Sequence, residues 1–229
     1  MIVAANFKTH KTRKEVKEYL RILDVVNFDN VKVAVFPPLS ALFEREYIGV
    51  QNAYPAVKGA YTGEIGLEQI EEYGINKILI GHSERRHILG ESQEFIAEKF
   101  NFYKEKGFEI YYCIGEPLEI RKKGIKDVVE YLKAQLEGID TEYEKLIIAY
   151  EPVWAIGTGV SAGIDEIEQT HKEIRNITKR PLLYGGSVKL NNIKEILCVE
   201  NVDGVLVGSA SLEVGNFIKM IETAKEVSK

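Results

Sequence analysis

Five places along the chain set polar or glycine-rich residues directly after a short apolar run. They are Asn6-Phe7-Lys8, Gly81-His82-Ser83-Glu84-Arg85-Arg86, Glu151-Pro152-Val153-Trp154, Tyr184-Gly185-Gly186-Ser187 and Gly208-Ser209-Ala210. A carboxylate at the mouth of an apolar strand is disfavoured as an anion. The basicity of Glu151 is therefore expected to rise, which suits proton abstraction. An imidazole facing a helix N-terminus feels the positive end of the dipole, so His82 is expected as a neutral hydrogen-bond donor. Lys8 offers a fixed cation to an anionic ligand. The glycines at 185, 186 and 208 let backbone N–H groups close on a phosphate, beside Ser187 and Ser209. Each residue also has an ordinary reading. Lys8 could be a solvated lysine opening a basic stretch, His82 a satisfied core or surface histidine, Glu151 half of an ion pair, and the glycines plain turn chemistry.

Other site chemistries find less support. His82 and His87 stand five apart with no third ligand, and His10 and His171 fall in helical or loop context, which is not a zinc pattern. Cys113 and Cys198 show neither metal spacing nor a disulfide framework, so a reducing compartment is expected. The stretch from Gly157 to Ala162 formally matches a dinucleotide fingerprint. Six residues separate it from Tyr150, however, and the next strand ends in Tyr184-Gly185 rather than in an acid.

These strand-end residues need a scaffold that brings strand ends together. Eight Val- and Ile-rich runs are predicted as strands, over 2–7, 31–36, 48–52, 77–81, 109–115, 145–150, 181–185 and 204–208. Amphipathic stretches between them predict helices over 12–24, 91–106, 126–136, 165–178, 189–197 and 211–226. Shorter segments follow the second and third runs, over 39–46 and 67–73. Eight β-then-α units in 229 residues, with no linker between them, predict an α/β chain folded as one (β/α)8 barrel domain over 1–229. The eight strands would be parallel and ringed by helices. An open doubly wound sheet is the competitor. In a barrel, reactive groups gather at the C-terminal ends of the strands.

The bulk composition fits. Hydrophobic residues make up 45% and charged residues 28%, with a formal net charge of −5. That balance argues against a general nucleic-acid surface. No apolar run approaches the roughly 20 residues of a membrane helix, and the N-terminus lacks a signal-peptide pattern. A soluble cytoplasmic protein is the expectation, with neither nucleic acid nor membrane as partner.

Taken together, NFK, GHSERR, AYEPVWAIGTG, YGGSV and GVLVGSASL resemble the triosephosphate isomerase family, after which the TIM barrel is named, over the whole chain in one order. The family is itself the reference case for a glutamate base paired with a neutral histidine electrophile under a closing loop. The resemblance implies interconversion of dihydroxyacetone phosphate and glyceraldehyde 3-phosphate through an enediolate, a step of glycolysis and gluconeogenesis, with no metal or organic cofactor. Glu151 would move the proton. His82 would polarise the carbonyl, and Lys8 and Asn6 would supply charge and a hydrogen bond. The phosphate would lie on Gly157, Ser187, Gly208 and Ser209. Glu84 would order Lys8, Cys113 would be a buried support, and Trp154 would pack under a lid formed by 152–162. Loop 53–66 would make a homodimer, with Thr62 reaching the partner's site.

The chain departs from the family pattern at Phe7, Gly66, Ser209 and Val160-Ser161, which puts the phosphate cradle and the lid's far hinge in question. The alternatives are another phosphosugar enzyme on a similar barrel, such as an aldolase or decarboxylase, and a non-catalytic phosphate-binding barrel.

Overall fold

The computed structural model describes residues 1–155 and 162–228. In chain order the elements open with strand β1 (Ile2–Asn6), helix α1 (Arg13–Leu23), β2 (Lys32–Phe36), α2 (Leu67–Glu71), β3 (Lys77–Ile80) and α3 (Ser83–His87). They continue with α4 (Gln93–Glu105), β4 (Glu109–Ile114), α5 (Leu118–Arg121), α6 (Ile125–Ala134) and β5 (Leu146–Tyr150). Last come α7 (Ile164–Ile177), β6 (Leu182–Tyr184), α8 (Ile193–Leu197), β7 (Gly204–Val207) and α9 (Val214–Val227). Local chemistry sets many of the boundaries. Thr12 and Glu15 form a reciprocal capping box at the start of α1, with the Thr12 N–H donating to Glu15 Oε2 at 2.7 Å. Such a cap contributes about 1 kcal/mol. Val16, Tyr19, Leu20 and Leu23 then form the buried face of the helix.

The strands pair in parallel in the order β2-β1-β7-β6-β5-β4-β3. Among the described residues the sheet therefore has seven strands, where the sequence predicts eight. The predicted strand at 48–52 is present only as two isolated parallel bridges, Val35↔Ile48 to β2 and Val50↔Ile78 to β3. Gly49 N–H donates to the Val35 carbonyl and Val50 N–H to the Lys77 carbonyl, each at 2.9 Å. The segment thus nearly closes the sheet into a barrel. A Cβ on Gly49 would lie 2.3 Å from the Phe36 ring, so the segment needs glycine there, and the Gln51 side chain donates to the carbonyls of Lys8 and Phe36.

Alternate residues of each strand face opposite sides. Ala4, Ala34, Phe36, Leu79, Tyr111, Cys113, Ile147, Ala149, Leu183 and Leu206 fill the barrel interior. The larger cluster, including Val3, Val35, Ile78, Tyr112, Ile148, Tyr184 and Val207, packs against the surrounding helices. The interior is thus a packed plug, and any chemistry must sit above it at a strand end. The helix predicted from 189 begins at Ile193, after a turn in which Asn192 binds both Ser187 and Lys189. No helix among the described residues is long and apolar enough to cross a membrane.

Candidate active site

At the end of β1, the backbone of Lys8 adopts φ 52°, in the left-handed region. A non-glycine residue there costs roughly 1–3 kcal/mol unless its surroundings over-determine it. Both of its backbone groups are held. Its N–H donates to Asn6 Oδ1 at 2.9 Å, and its carbonyl accepts from Gln51 Nε2 at 2.8 Å. The twist turns the side chain over the strand ends, where Nζ meets Glu84 Oε1 at 2.7 Å.

His82 follows β3 and caps the short helix α3. The backbone N–H of Glu84 donates to its Nδ1 at 3.2 Å. That leaves Nδ1 as an acceptor and puts the single ring hydrogen on Nε2, which lies 3.1 Å from Glu151 Oε1. Two influences then oppose each other. Burial lowers the basicity of the ring, while the Glu151 carboxylate raises it, and the balance is upward from the ordinary histidine value. The geometry at Nδ1 decides for the neutral Nε2–H ring, since an imidazolium would point a second hydrogen at the Glu84 N–H.

Glu151 is 2% exposed at the end of β5, and its second oxygen accepts from the Ser83 N–H at 3.2 Å. The sequence predicts a carboxyl with raised basicity. The structure corrects this: burial does push upward, but His82, the Ser83 N–H and Lys8 outweigh it and hold Glu151 below the usual glutamate value in this arrangement. Gly185 provides the room, since a Cβ there would approach Glu151 Cγ to 2.8 Å.

These groups border one cavity of about 420 Å³. Asn6, Lys8, His82, Glu84 and Glu151 line it together with Gly185–Lys189, Gly208 and Ser209. An acid–base pair thus shares one cavity with glycine- and serine-rich turns, an arrangement able to hold a small anionic ligand while a proton is moved. Three further residues of the sequence reading stand apart from the cavity. Cys113 is wholly buried in the barrel interior, and burial pushes its thiol well up, which suits packing rather than nucleophilic attack. Trp154 lies behind the site and donates from Nε1 to Glu116 Oε1 at 3.1 Å. Thr62 is exposed on the loop at 53–66, where Tyr54 and Tyr61 stack at 4.0 Å. Gly157, with Val160 and Ser161 of the lid's far hinge and the rest of 156–161, lies outside the described residues.

Four relevant residues escaped the sequence reading. Gln51, at the end of the shortened third run, fixes the Lys8 backbone. His10 and Lys189 line the cavity two residues beyond Lys8 and Ser187. Their signal was proximity to strand ends, masked by the ordinary look of surface cations. Glu116 stands one residue past the run at 109–115 and is wholly buried. A carboxylate so close to a strand end was a readable sign of a paired charge.

Comparison with known proteins adds independent information. A family model described as triosephosphate isomerase matches residues 1–224. The chain is 57% identical to the triosephosphate isomerase of a Nitratiruptor species, over 99% of this chain and 100% of that one. It is 56% identical to that of a Sulfurovum species, over 96% and 99% of the two chains. With the triosephosphate isomerase of Campylobacter jejuni subsp. jejuni it shares 53% identity, over 97% and 100%.

Proposed function

The chain belongs to the triosephosphate isomerase family, and from that membership we propose that it interconverts dihydroxyacetone phosphate and D-glyceraldehyde 3-phosphate. The observation that carries this reading is the Glu151–His82 contact at 3.1 Å within a cavity that also holds Lys8. In the forward direction Glu151 takes a proton from C1 of the ketone. The C1–H electron pair becomes the C1=C2 bond of the enediolate, and the carbonyl pair moves to oxygen. His82, as the neutral Nε2–H donor, stabilises that oxygen and passes a proton between the two oxygens. Lys8 offsets the developing negative charge, Asn6 adds a hydrogen bond, and Glu84 keeps the ammonium in place. Glu151 then returns its proton to C2 to give the aldehyde. Its base strength is set by position. While it rests on His82 and Ser83 it is a weak base. Turned toward a substrate carbon it leaves those partners, and the burial that raises its basicity remains.

Phosphate is held in this reading by backbone groups around Gly157, Ser187, Gly208 and Ser209. Residues 152–162 act as a lid that excludes water and suppresses loss of phosphate from the enediolate. The support near the hinge is the single helical turn Val153–Ala155, anchored through Trp154 on Glu116. We further infer one barrel domain over 1–229 in which Ile48–Val50 serves as the eighth stave, its hydrogen bonds to β2 and β3 being the support. Loop 53–66 is read as the homodimer surface. The exposed side chains of Val57 and Tyr61 on it favour that reading. A cytoplasmic setting fits Cys113 and Cys198, both free thiols. The aldolase alternative needs a Schiff-base lysine inside a strand, near its reactive end. Lys32 and Lys77, the lysines within the described strands, open β2 and β3 at the opposite end, and Lys77 donates to the Glu46 carbonyl at 2.7 Å.

The test is a coupled isomerase assay with both triose phosphates, run beside Glu151→Asp. Shortening the side chain withdraws the carboxylate by about 1.5 Å, and a misplacement of that order costs roughly a hundredfold in turnover. Inorganic phosphate should bind the variant about as well as the native chain. No isomerase activity in the native protein refutes the reading, and equal losses of turnover and phosphate binding make Glu151 structural.

A further inference from the structure

The loop between β6 and α8 holds Lys189 at the edge of the active-site cavity. Asn192 fixes that loop from both ends. Its Nδ2 donates to the Ser187 carbonyl at 3.0 Å, and its Oδ1 accepts the Lys189 N–H at 2.7 Å. Lys189 is exposed, and among the described residues its ammonium makes no ion pair. Lys8 differs, because Glu84 already engages its ammonium at 2.7 Å. The carboxylates on the cavity are Glu84 and Glu151, and the lysines are Lys8 and Lys189. Without Lys189 the cavity would carry one lysine against two carboxylates. The side-chain charge would then give a phosphate dianion less long-range attraction, in a chain whose net charge of −5 already opposes anions.

We propose that Lys189 is a positioning residue for substrate capture. Its ammonium draws the phosphate end of the triose phosphate into the cavity and offsets Glu84 and Glu151, so that it acts on kcat/KM and leaves kcat alone. The proposal rests on the isomerase reading above. It separates Lys189 from the residues that touch the reacting carbons. A charge at the rim, in water, acts on encounter and binding rather than on the chemical step, and salt screens it.

The experiment compares native protein, Lys189→Gln, Lys189→Arg and Lys194→Gln at low and at high ionic strength. Lys194, on α8, pairs with Glu226 at 3.4 Å away from the cavity, so its replacement removes the same unit of charge, with one exposed ion pair, outside the site. At low salt Lys189→Gln should lower kcat/KM roughly three- to tenfold, as expected for one unit charge acting on a dianion through water at several ångströms. Its kcat should stay within about twofold. The deficit should shrink as salt rises, Lys189→Arg should restore the native value, and Lys194→Gln should show no deficit. A native kcat/KM in Lys189→Gln, a loss confined to kcat, or an equal effect of Lys194→Gln overturns the proposal. If the native chain has no isomerase activity, the isomerase reading falls instead. Calorimetric binding of inorganic phosphate then still decides: undiminished affinity in Lys189→Gln refutes the capture role.

Discussion

His171 offers the sharpest test of how burial governs this fold. It lies on the inner face of α7, wholly buried, with its ring centroid 5.7 Å from that of Tyr150 and 6.4 Å from that of Tyr184. Nδ1 donates to the Asn201 carbonyl at 3.1 Å, while Nε2 has no partner among the described residues. Burial pushes its pKa down to about 4, against smaller upward pulls from Asn201 and Asp203. In the unfolded chain an unperturbed histidine titrates near 6.5. The unfolded state therefore binds a proton that the folded state refuses. Stability is full above about pH 7, falls as the pH drops through 6.5, and levels off below about 4. With those two values His171 removes about 2 kcal/mol between pH 7.5 and pH 5.0, and about 3 kcal/mol once the transition is complete. The assay is urea unfolding at pH 7.5 and 5.0, at one protein concentration, for the native chain and His171→Asn. Asparagine keeps a donor for the Asn201 carbonyl and does not titrate. The variant will be less stable at both pH values, because it leaves a void, so the comparison rests on the change with pH. The native chain should lose about 2 kcal/mol more than the variant over that interval. Equal losses would show that His171 accepts its proton in the folded state, and the argument from burial would fail.

Two further outcomes follow from the structure. Glu116 is wholly buried and accepts from Arg121 Nε at 2.8 Å, Tyr150 OH at 3.1 Å and Trp154 Nε1 at 3.1 Å. Glu116→Gln strands the guanidinium of Arg121, whose side chain is 12% exposed. It should cost about 3 kcal/mol, seen as a lower Tm, with partial recovery in Glu116→Gln/Arg121→Gln; an unchanged Tm refutes the role of the pair. The reading of loop 53–66 predicts a dimer by sedimentation at micromolar concentration, and a chain that is monomeric and fully active contradicts it.

How much of this was legible in the sequence depends on the range of the physics involved. Alternation of apolar runs with amphipathic stretches is a local signal, and it located all seven strands and the end at which Lys8, His82 and Glu151 stand. The predicted strand at 48–52 shows the limit. IGVQN reads as a strand by composition, yet it forms only two isolated bridges, and its Gln51 side chain is held on the carbonyls of Lys8 and Phe36. Neither partner is near it in sequence. The same holds for electrostatics. Burial of Glu151 was readable from the run that precedes it, but the sign of its net shift was not, because the groups that reverse it sit 68 and 69 residues away at Ser83 and His82 and farther still at Lys8.

His171 marks the intermediate case. The positions Ile167, His171 and Ile174 repeat at helical spacing, so the buried face of α7 was readable and the histidine belonged on it. What spacing could not supply was its surroundings, two tyrosine rings and one carbonyl drawn from β5, β6 and the turn at Asn201. A burial pattern identifies which polar residues must be satisfied, and only the fold says by whom. The same division governs the cavity. Strand ends announce where chemistry collects, while His82 and Ser83 against Glu151 decide how strong a base that carboxylate becomes.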